Sequence, residues 1–411
     1  MSLTEKVQTT PIELQKLSWE SDDQSYERLW KSENGHLPPK KVVVVDDTIT
    51  ADQAYQFACE GTGMLWLGDF QNARQLLKAL VRRVDQPSKR GRRAAKGPQK
   101  EINEAATSAS VQKFHLYRQA QLQKARVLNM LLIPMEANHI CPLKRAPEVY
   151  AACMEVYGEI DQAYVTSLRE LIALISAYEW RKKGVSIEVL KDQPFKIHPQ
   201  YGVFSPVRGE YLSLICSAPL PRALQKKSIA LDIGAGTGVI SILLAKKGIE
   251  RIIATENNPR AIKCAKDNVK LLKLSQQIEI RDVDLFPKEL ASLIVCNPPW
   301  LPGKPSSLLE HAIYDPQSQM LKGFLSQLKE HLLPDGEGWL IMSNFAELLG
   351  LREVGDLENM FKENNLIVID KLTTRPNHPR ANEIDDPLFE ARSQEVTSLW
   401  RLGALNDVKL S

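Results

Sequence analysis

The sequence predicts an α/β protein whose C-terminal half is a doubly wound parallel sheet, preceded by a mainly helical N-terminal domain. Three observations carry this reading. Beyond about residue 193, short β-branched runs alternate with amphipathic stretches of helical length. A glycine-rich turn joins the first strong strand to its helix, and much of the first half shows apolar spacing near 3.6 with capping residues in front of it. At 411 residues there is room for two or three domains of about 150 each.

In the second half, IALDIG (229–234) reads as a strand, GVISILLAKKG as a helix, RIIATE (251–256) as a strand and NPRAIKCAKDNVKLLKL as a helix. QIEIRDV, ASLIVCNPPW, a helix around QMLKGFLSQLKEHLL, and GEGWLIMSN continue the alternation. LIVIDKLTTR (366–375) and SLWRL (398–402) read as two closing antiparallel edge strands. In such a sheet a ligand sits at the carboxyl ends of the strands. The stretch 374–395 interrupts the last strands. It reads either as a lid offering His378, Arg380, Asp385 and Asp386 to a substrate, or as a solvated hairpin loop.

In the first half, residues 1–40 read as a polar tail and 41–192 as the mainly helical domain, leaving 193–411 to the sheet domain. After KVVVVDD (41–47), Thr50 and Asp52 can cap a helix through AYQFACEG, and Asp69 can cap FQNARQLLKALVRRV. Residues 82–100 hold eight Lys/Arg against one Asp and read as a basic loop. A long helix is expected from Glu101 to about Leu132, then helices over 146–158 and 165–184.

A formal charge of +3 excludes the molecule as a whole from the strongly basic nucleic-acid binders, and residues 1–197 and 198–411 carry +4 and −1. Any such role is local, at 82–100 with Lys113, Arg118, Lys124 and Arg126 behind it and His115 and Tyr117 as possible stacking rings. The longest apolar stretches, such as LISAYEW and IALDIGAGTGVISILLA, are too short or too Gly-rich and strand-like for the ~20 apolar residues of a membrane span, so no membrane anchor is expected. MSLTEKVQTT has no secretory pattern, and six scattered cysteines without a CxxC pair point to no metal site and to a reducing, cytoplasmic setting.

LDIGAGTG (231–238) places Gly234, Gly236 and Gly238 where the chain must turn tightly and approach a ligand closely. By itself this turn serves a dinucleotide as well as S-adenosyl-L-methionine. Asp232, at the strand end, suits a cationic, amine-bearing ligand and would repel a pyrophosphate. Glu256, with Asn257 after it, closes the second strand and can accept both ribose hydroxyls in either case, while Asp284 can reach an adenine amino group, though it or Asp282 reads equally as a plain loop acid.

Asn297, Pro298, Pro299 and Trp300 follow an apolar strand at the same carboxyl edge and favour the sulfonium ligand. A nitrogen conjugated to a carbonyl or an aromatic ring is a poor nucleophile and needs directed acceptors. The Asn297 side-chain oxygen and the Pro298 carbonyl can each take one N–H of such an amino group, the prolines stiffen the turn, and Trp300 offers a flat face for stacking.

Together LDIGAGTG, Glu256 in ATENNPRAIKCAKDN, and NPPW resemble the class I S-adenosylmethionine-dependent methyltransferases of the "small" type. These include the HemK-like protein-glutamine N-methyltransferases, the ribosomal RNA guanine-N2 enzymes and the N6-adenine enzymes. The resemblance covers about residues 198–403 and implies a Rossmann-like sheet, S-adenosyl-L-methionine as cofactor, and methylation of a planar amino nitrogen. The stretch YGVFSPVRGEYLSLI (201–215) is similar to the segment before the glycine turn in the glutamine enzymes, which implies roles near the cofactor for Pro206 and Glu210. The acceptor stays open between a protein glutamine, slightly preferred, and an amino group of RNA or DNA. Either would be a macromolecular substrate, for example of the translation machinery, and a non-catalytic cofactor-binding protein is the remaining alternative.

Replacing Lys89, Arg90, Arg92, Arg93 and Lys96 by Gln is expected to leave thermal stability and cofactor affinity unchanged, because so polar a loop cannot belong to a core. A large drop in melting temperature would show that these charges serve the fold.

Overall fold

The computed structural model describes residues 15–21, 23–86, 104–190, 192–206, 209–224, 228–376 and 383–405. The chain divides into two compact units, one of Met1–Gly97 with Gln121–Ser176, the other of Pro98–Ala120 with Ala177–Ser411.

In the first unit the strands β1 (Lys16–Ser21), β2 (Gln24–Trp30), β3 (Lys41–Val45), β4 (Thr62–Trp66), β5 (Leu131–Met135) and β6 (Tyr164–Ser167) form one sheet in the order β1-β2-β6-β5-β4-β3. The expected mainly helical character of 41–192 is therefore corrected to mixed α/β, and β1 and β2 stand in what reads as a polar tail. For β1 and β2 the physical reason is exposure, since mostly uncovered polar residues look like a tail, and for β4, β5 and β6 it is burial on both faces. Every residue of β4, β5 and β6 is buried, so these four- or five-residue runs carry no alternation to set them apart from a piece of helix. The long helix accordingly stops at Leu128 instead of Leu132, and β6 occupies the start of the stretch read as helix from 165. The capping residues do act as such: Thr50 forms a reciprocal capping box with Gln53 ahead of helix Ala51–Glu60, and Asp69 accepts from Gln71 N ahead of helix Phe70–Asp85.

The second unit opens with a hairpin of β7 (Val185–Ile187) and β8 (Phe195–Ile197). It then builds a seven-stranded sheet from β9 (Ile229–Ile233), β10 (Arg251–Glu256), β11 (Ile278–Asp282), β12 (Ala291–Cys296), β13 (Leu332–Ser343), β14 (Leu366–Thr374) and β15 (Thr397–Ala404), in the order β11-β10-β9-β12-β13-β15-β14. The five strands from β11 to β13 pair in parallel, and β15 and β14 add antiparallel. Alternate residues enter two cores. Ala230, Leu293 and Val295 pack with helices Glu210–Ser217, Val239–Lys246 and Pro259–Leu271, whereas Leu231, Ile294 and Cys296 pack with helices Gln319–His331 and Asp356–Glu363. This is the doubly wound, Rossmann-like sheet that the strand–helix alternation predicts.

Two polar devices hold its ends. The half-buried Lys247 donates to the carbonyls of Ile215, Cys216 and Ala218, closing the C-terminus of helix Glu210–Ser217. On the antiparallel side, Arg401 grips Glu337 with two bonds, Nε to Oε2 at 2.8 Å and Nη2 to Oε1 at 2.7 Å, and Trp339 Nε1 donates to the same carboxylate at 2.9 Å.

Both members of that pair are close to buried, so Arg401→Met leaves Glu337 charged and unmatched. It is expected to lower stability by about 3 kcal/mol, read as a lower urea midpoint at unchanged slope. An unchanged midpoint would show that the pair contributes nothing.

Candidate active site

The site lies where the sheet order reverses. From β9 the chain winds through β10 to β11 on one side and then crosses to β12 on the other side of β9. Such a switch point leaves a crevice at the carboxyl ends of the strands. The register sets Ile233 beside Cys296, so the glycine turn after β9 and the NPPW turn after β12 leave neighbouring strands at the same level.

Gly234, Gly236 and Gly238 all have positive φ, at 80°, 54° and 78°. A Cβ on Gly234 would lie 2.6 Å from Met320 Cε, while one on Gly236 would meet nothing within 4 Å among the described residues, so the middle of the turn is open to a ligand. The amides of Gly234 and Ala235 both donate to Thr255 O, fastening the turn to β10. Glu256 ends β10 with its carboxylate held by three backbone donors: Gly236 N to Oε2 at 2.9 Å, and Asn257 N and Asn258 N to Oε1 at 3.0 Å each. Asn257 in turn donates to Asp284 Oδ1 at 2.9 Å. Thus Glu256, Asn257 and Asp284 stand together at one edge of the glycine turn.

Asp232 lies fully buried beneath the turn. Its Oδ2 accepts from Ser241 N and Oγ, while Oδ1 is buried with no partner among the described residues. Burial pushes its carboxyl up to about 6 against the Ser241 hydrogen bonds, and Glu256 adds a smaller push in the same direction. A buried acidic oxygen in need of a donor, below an open glycine turn that is flanked by an oriented carboxylate, fits a cationic, ribose-bearing ligand such as S-adenosylmethionine.

On the other turn, Trp300 donates its indole N–H to Asn297 Oδ1 at 3.0 Å. In the sequence Trp300 stands only as a stacking face, and the spacing of three residues within one turn is the signal of this bond. Pro298 is buried, whereas Asn297, Pro299 and Trp300 are partly exposed. Pro206 is buried and Glu210 starts helix Glu210–Ser217, just after two residues outside the described set. His378 and Arg380, and the basic residues 87–100, also lie outside the described residues. Asp386, read as facing a substrate, is instead bonded to Leu388 N and Arg392. Among the described residues no group of His, Cys, Asp and Glu could hold a metal ion, and no helix is long and apolar enough to cross a membrane.

Residues 194–371 match the family described as Methyltransferase small domain. A Methanocaldococcus jannaschii protein that bears the provisional name protein N5-glutamine methyltransferase is 32% identical over 170 residues, covering 39% of this chain and 80% of that protein. The ribosomal protein L11 methyltransferase of Exiguobacterium sibiricum is 37% identical over 87 residues, covering 21% of this chain and 28% of that enzyme, so the chain spans little more than a quarter of it. The crystal structure of the ribosomal protein L11 methylase from Lactobacillus delbrueckii subsp. bulgaricus aligns with a TM-score of 0.35 at 18% identity, over 51% of this chain and 86% of that one.

The raised Asp232 carboxyl has a pH signature. The folded chain keeps this proton to about pH 6, whereas the unfolded chain releases it near 3.8. The group's contribution is therefore intact below pH ~4 and lost as pH rises towards ~6, leaving at pH 7 an ionised carboxylate that costs on the order of 3 kcal/mol. Asp232→Asn is expected to raise ligand-free stability at pH 7, to change it little at pH 4, and to weaken binding of S-adenosylhomocysteine. Urea titrations at the two pH values and calorimetry check this, and an equal effect at both pH values would rule out the buried ionisation.

Proposed function

Because the chain belongs to the methyltransferase small domain family, we propose that it transfers a methyl group from S-adenosylmethionine to a planar amino nitrogen of a macromolecule, a protein glutamine amide by preference. The observation that carries the nitrogen chemistry is the Asn297 side chain, held by Trp300 one strand away from the glycine turn.

When bound, S-adenosylmethionine supplies a methyl group made electrophilic by its sulfonium. Catalysis then falls to positioning. Asp232 offers its unpartnered oxygen towards the cation, Glu256 takes the ribose, and Asn257 with Asp284 lines the far edge. The Trp300 indole occupies one lone pair of Asn297 Oδ1 and fixes the amide plane, leaving the second lone pair for an N–H of the acceptor. The Pro298 carbonyl takes the other N–H. Two directed acceptors raise electron density on the nitrogen and aim its lone pair along the methyl, and a fixed pair of dipoles costs no reorganisation during transfer. The methylated nitrogen then gives up its extra proton to water.

The glutamine preference is supported by the archaeal relative, most of whose length this chain covers. A second reading, methylation of a nucleic-acid amino group, draws on the eight basic residues of 82–100. Transfer of labelled methyl from S-adenosylmethionine into a cell extract, treated beforehand with ribonuclease or with protease, separates the two. Label that survives ribonuclease and disappears with protease supports glutamine, and the reverse supports RNA.

Asn297→Ala is expected to lower the transfer rate about a hundredfold, equivalent to about 3 kcal/mol in the transition state. S-adenosylhomocysteine affinity stays within about twofold of the parent, since Asn297 is assigned to the acceptor and makes no demand on cofactor binding. Trp300→Phe keeps the flat ring, loses the N–H, and is expected to give a smaller drop of about tenfold, near the cost of one hydrogen bond. Unchanged turnover in Asn297→Ala would remove the proposed chemistry.

A further inference from the structure

Between the NPPW turn and helix Gln319–His331 the chain makes a closed loop, residues 302–314. Its neck is pinned by two backbone bonds, Leu301 N to Ile313 O at 3.1 Å and Asp315 N to Leu301 O at 2.8 Å. The buried Asp315 then accepts from Met320 N and Leu321 N at 3.1 Å each, and the Met320 methyl rests against Gly234. One end of the loop is thus the acceptor motif, and the other is fastened to the start of a helix that touches the glycine turn.

A residue far away in sequence grips this loop. Arg118 extends from helix Glu104–Leu128 and reaches three points of the loop at once. Its Nη1 pairs with Glu310 Oε2 at 2.9 Å, its Nη2 donates to Lys304 O at 2.7 Å, and its guanidinium lies 3.9 Å from the centroid of the Tyr314 ring. Glu310 Oε2 also accepts from Ser306 N and Oγ, so the carboxylate Arg118 holds is the one that ties the loop across itself. One turn earlier on the helix, the buried Phe114 packs with Leu301, Tyr314, Phe345, Leu349 and Leu388. A planar, permanently charged fork can donate twice and stack in the same pose, which an ammonium cannot. Neither Arg118 nor Glu310 has a place in the methyl-transfer chemistry above. With its guanidinium so occupied, Arg118 also drops out of the phosphate-binding set to which its basic neighbourhood assigns it.

We propose that Arg118 is a positioning residue for the acceptor: through Glu310, Lys304 and Tyr314 it holds loop 302–314 against the NPPW turn in the shape that admits the macromolecular substrate. The proposal rests on the methyl-transfer reading for its purpose but not for its first test. The geometry argues for an effect on the acceptor side, because every bond of the clamp falls on the segment after Trp300. The cofactor turn is fastened separately, through Thr255 and Glu256.

The experiment uses the full chain, saturated with S-adenosylhomocysteine, as parent, Arg118→Ala, Arg118→Lys and Glu310→Gln. Hydrogen exchange is followed by peptide, together with calorimetric affinity for S-adenosylhomocysteine. Arg118→Ala is expected to speed exchange over 301–315 by about tenfold or more while β12 and the glycine turn stay protected. Ligand affinity stays within about twofold, and Arg118→Lys falls between Ala and parent. Glu310→Gln shifts exchange in the same direction, and the double variant is no worse than Arg118→Ala, as expected of one coupled unit. In methyl transfer to the extract fraction that the parent labels, the acceptor KM rises about tenfold with kcat little changed, the pattern of lost positioning without lost chemistry.

Unchanged exchange at 301–315 in both Arg118→Ala and Glu310→Gln overturns the clamp, as does a kcat loss with unchanged acceptor KM. A parent that binds S-adenosylhomocysteine but labels no acceptor counts against the methyl-transfer reading, and the exchange result then decides the clamp by itself. Should Arg118→Ala fail to fold, the milder Glu310→Gln carries the same comparison.

Discussion

The parallel pairing of β9 with β12 is the constraint on which the site depends. With Ile233 opposite Cys296, the glycine turn and the NPPW turn emerge at one height from strands that lie about 4.8 Å apart. A shift of β12 by one residue would exchange every side chain of β12 between the two cores and move the NPPW turn out of level with the glycine turn. That register is specified because both faces are buried. Val295 and Leu293 enter one core, Ile294 and Cys296 the other, so a slip would have to repack both.

Around this pairing the site's polar groups fall into two kinds. Some are satisfied by the chain itself and so held in place before any ligand arrives: Glu256 by three backbone amides, and Asn297 by the Trp300 indole. Asp232 is of the other kind, with one oxygen bonded to Ser241 and the other without a partner among the described residues. Burying such a group costs stability, and the cost is recovered only when a donor or cation reaches it. The same low-dielectric surroundings raise the Cys296 thiol through burial, with the charges of Asp232 and Asp315 acting in the same direction.

The segment after Trp300 shows how a site becomes tied to a part of the chain that does not carry the chemistry. Its loop closes on itself, is fastened through Asp315 to the next helix, and is gripped by a guanidinium that stands almost two hundred residues earlier in the sequence. An ion pair between exposed side chains contributes little, but Arg118 and Glu310 are mostly covered and share further hydrogen bonds, the circumstances in which such a pair holds geometry.

What the sequence by itself determined about this protein is local in origin. Glycines at positive φ, a capping Thr50 or Asp69, and strands such as RIIATE and SLIVC bounded by turns act within a few residues, so the order of elements in the second unit, the glycine turn and the NPPW turn were all legible. The six strands of the first unit were not. TGMLW and LLIPM are buried on both faces, and neither alternation nor length separates them from helix until their partners are known. Only the tertiary structure decided which donors meet which acceptors: Trp300 with Asn297, Gly236 with Glu256, Ser241 with Asp232, and Arg118 with a loop near residue 310. Composition assigned Arg118 to a basic patch because charge is all that a sequence displays of an arginine. Its partner is chosen by packing, where Phe114 one turn away sets the helix against Tyr314 and leaves the guanidinium a carboxylate, a carbonyl and a ring within reach.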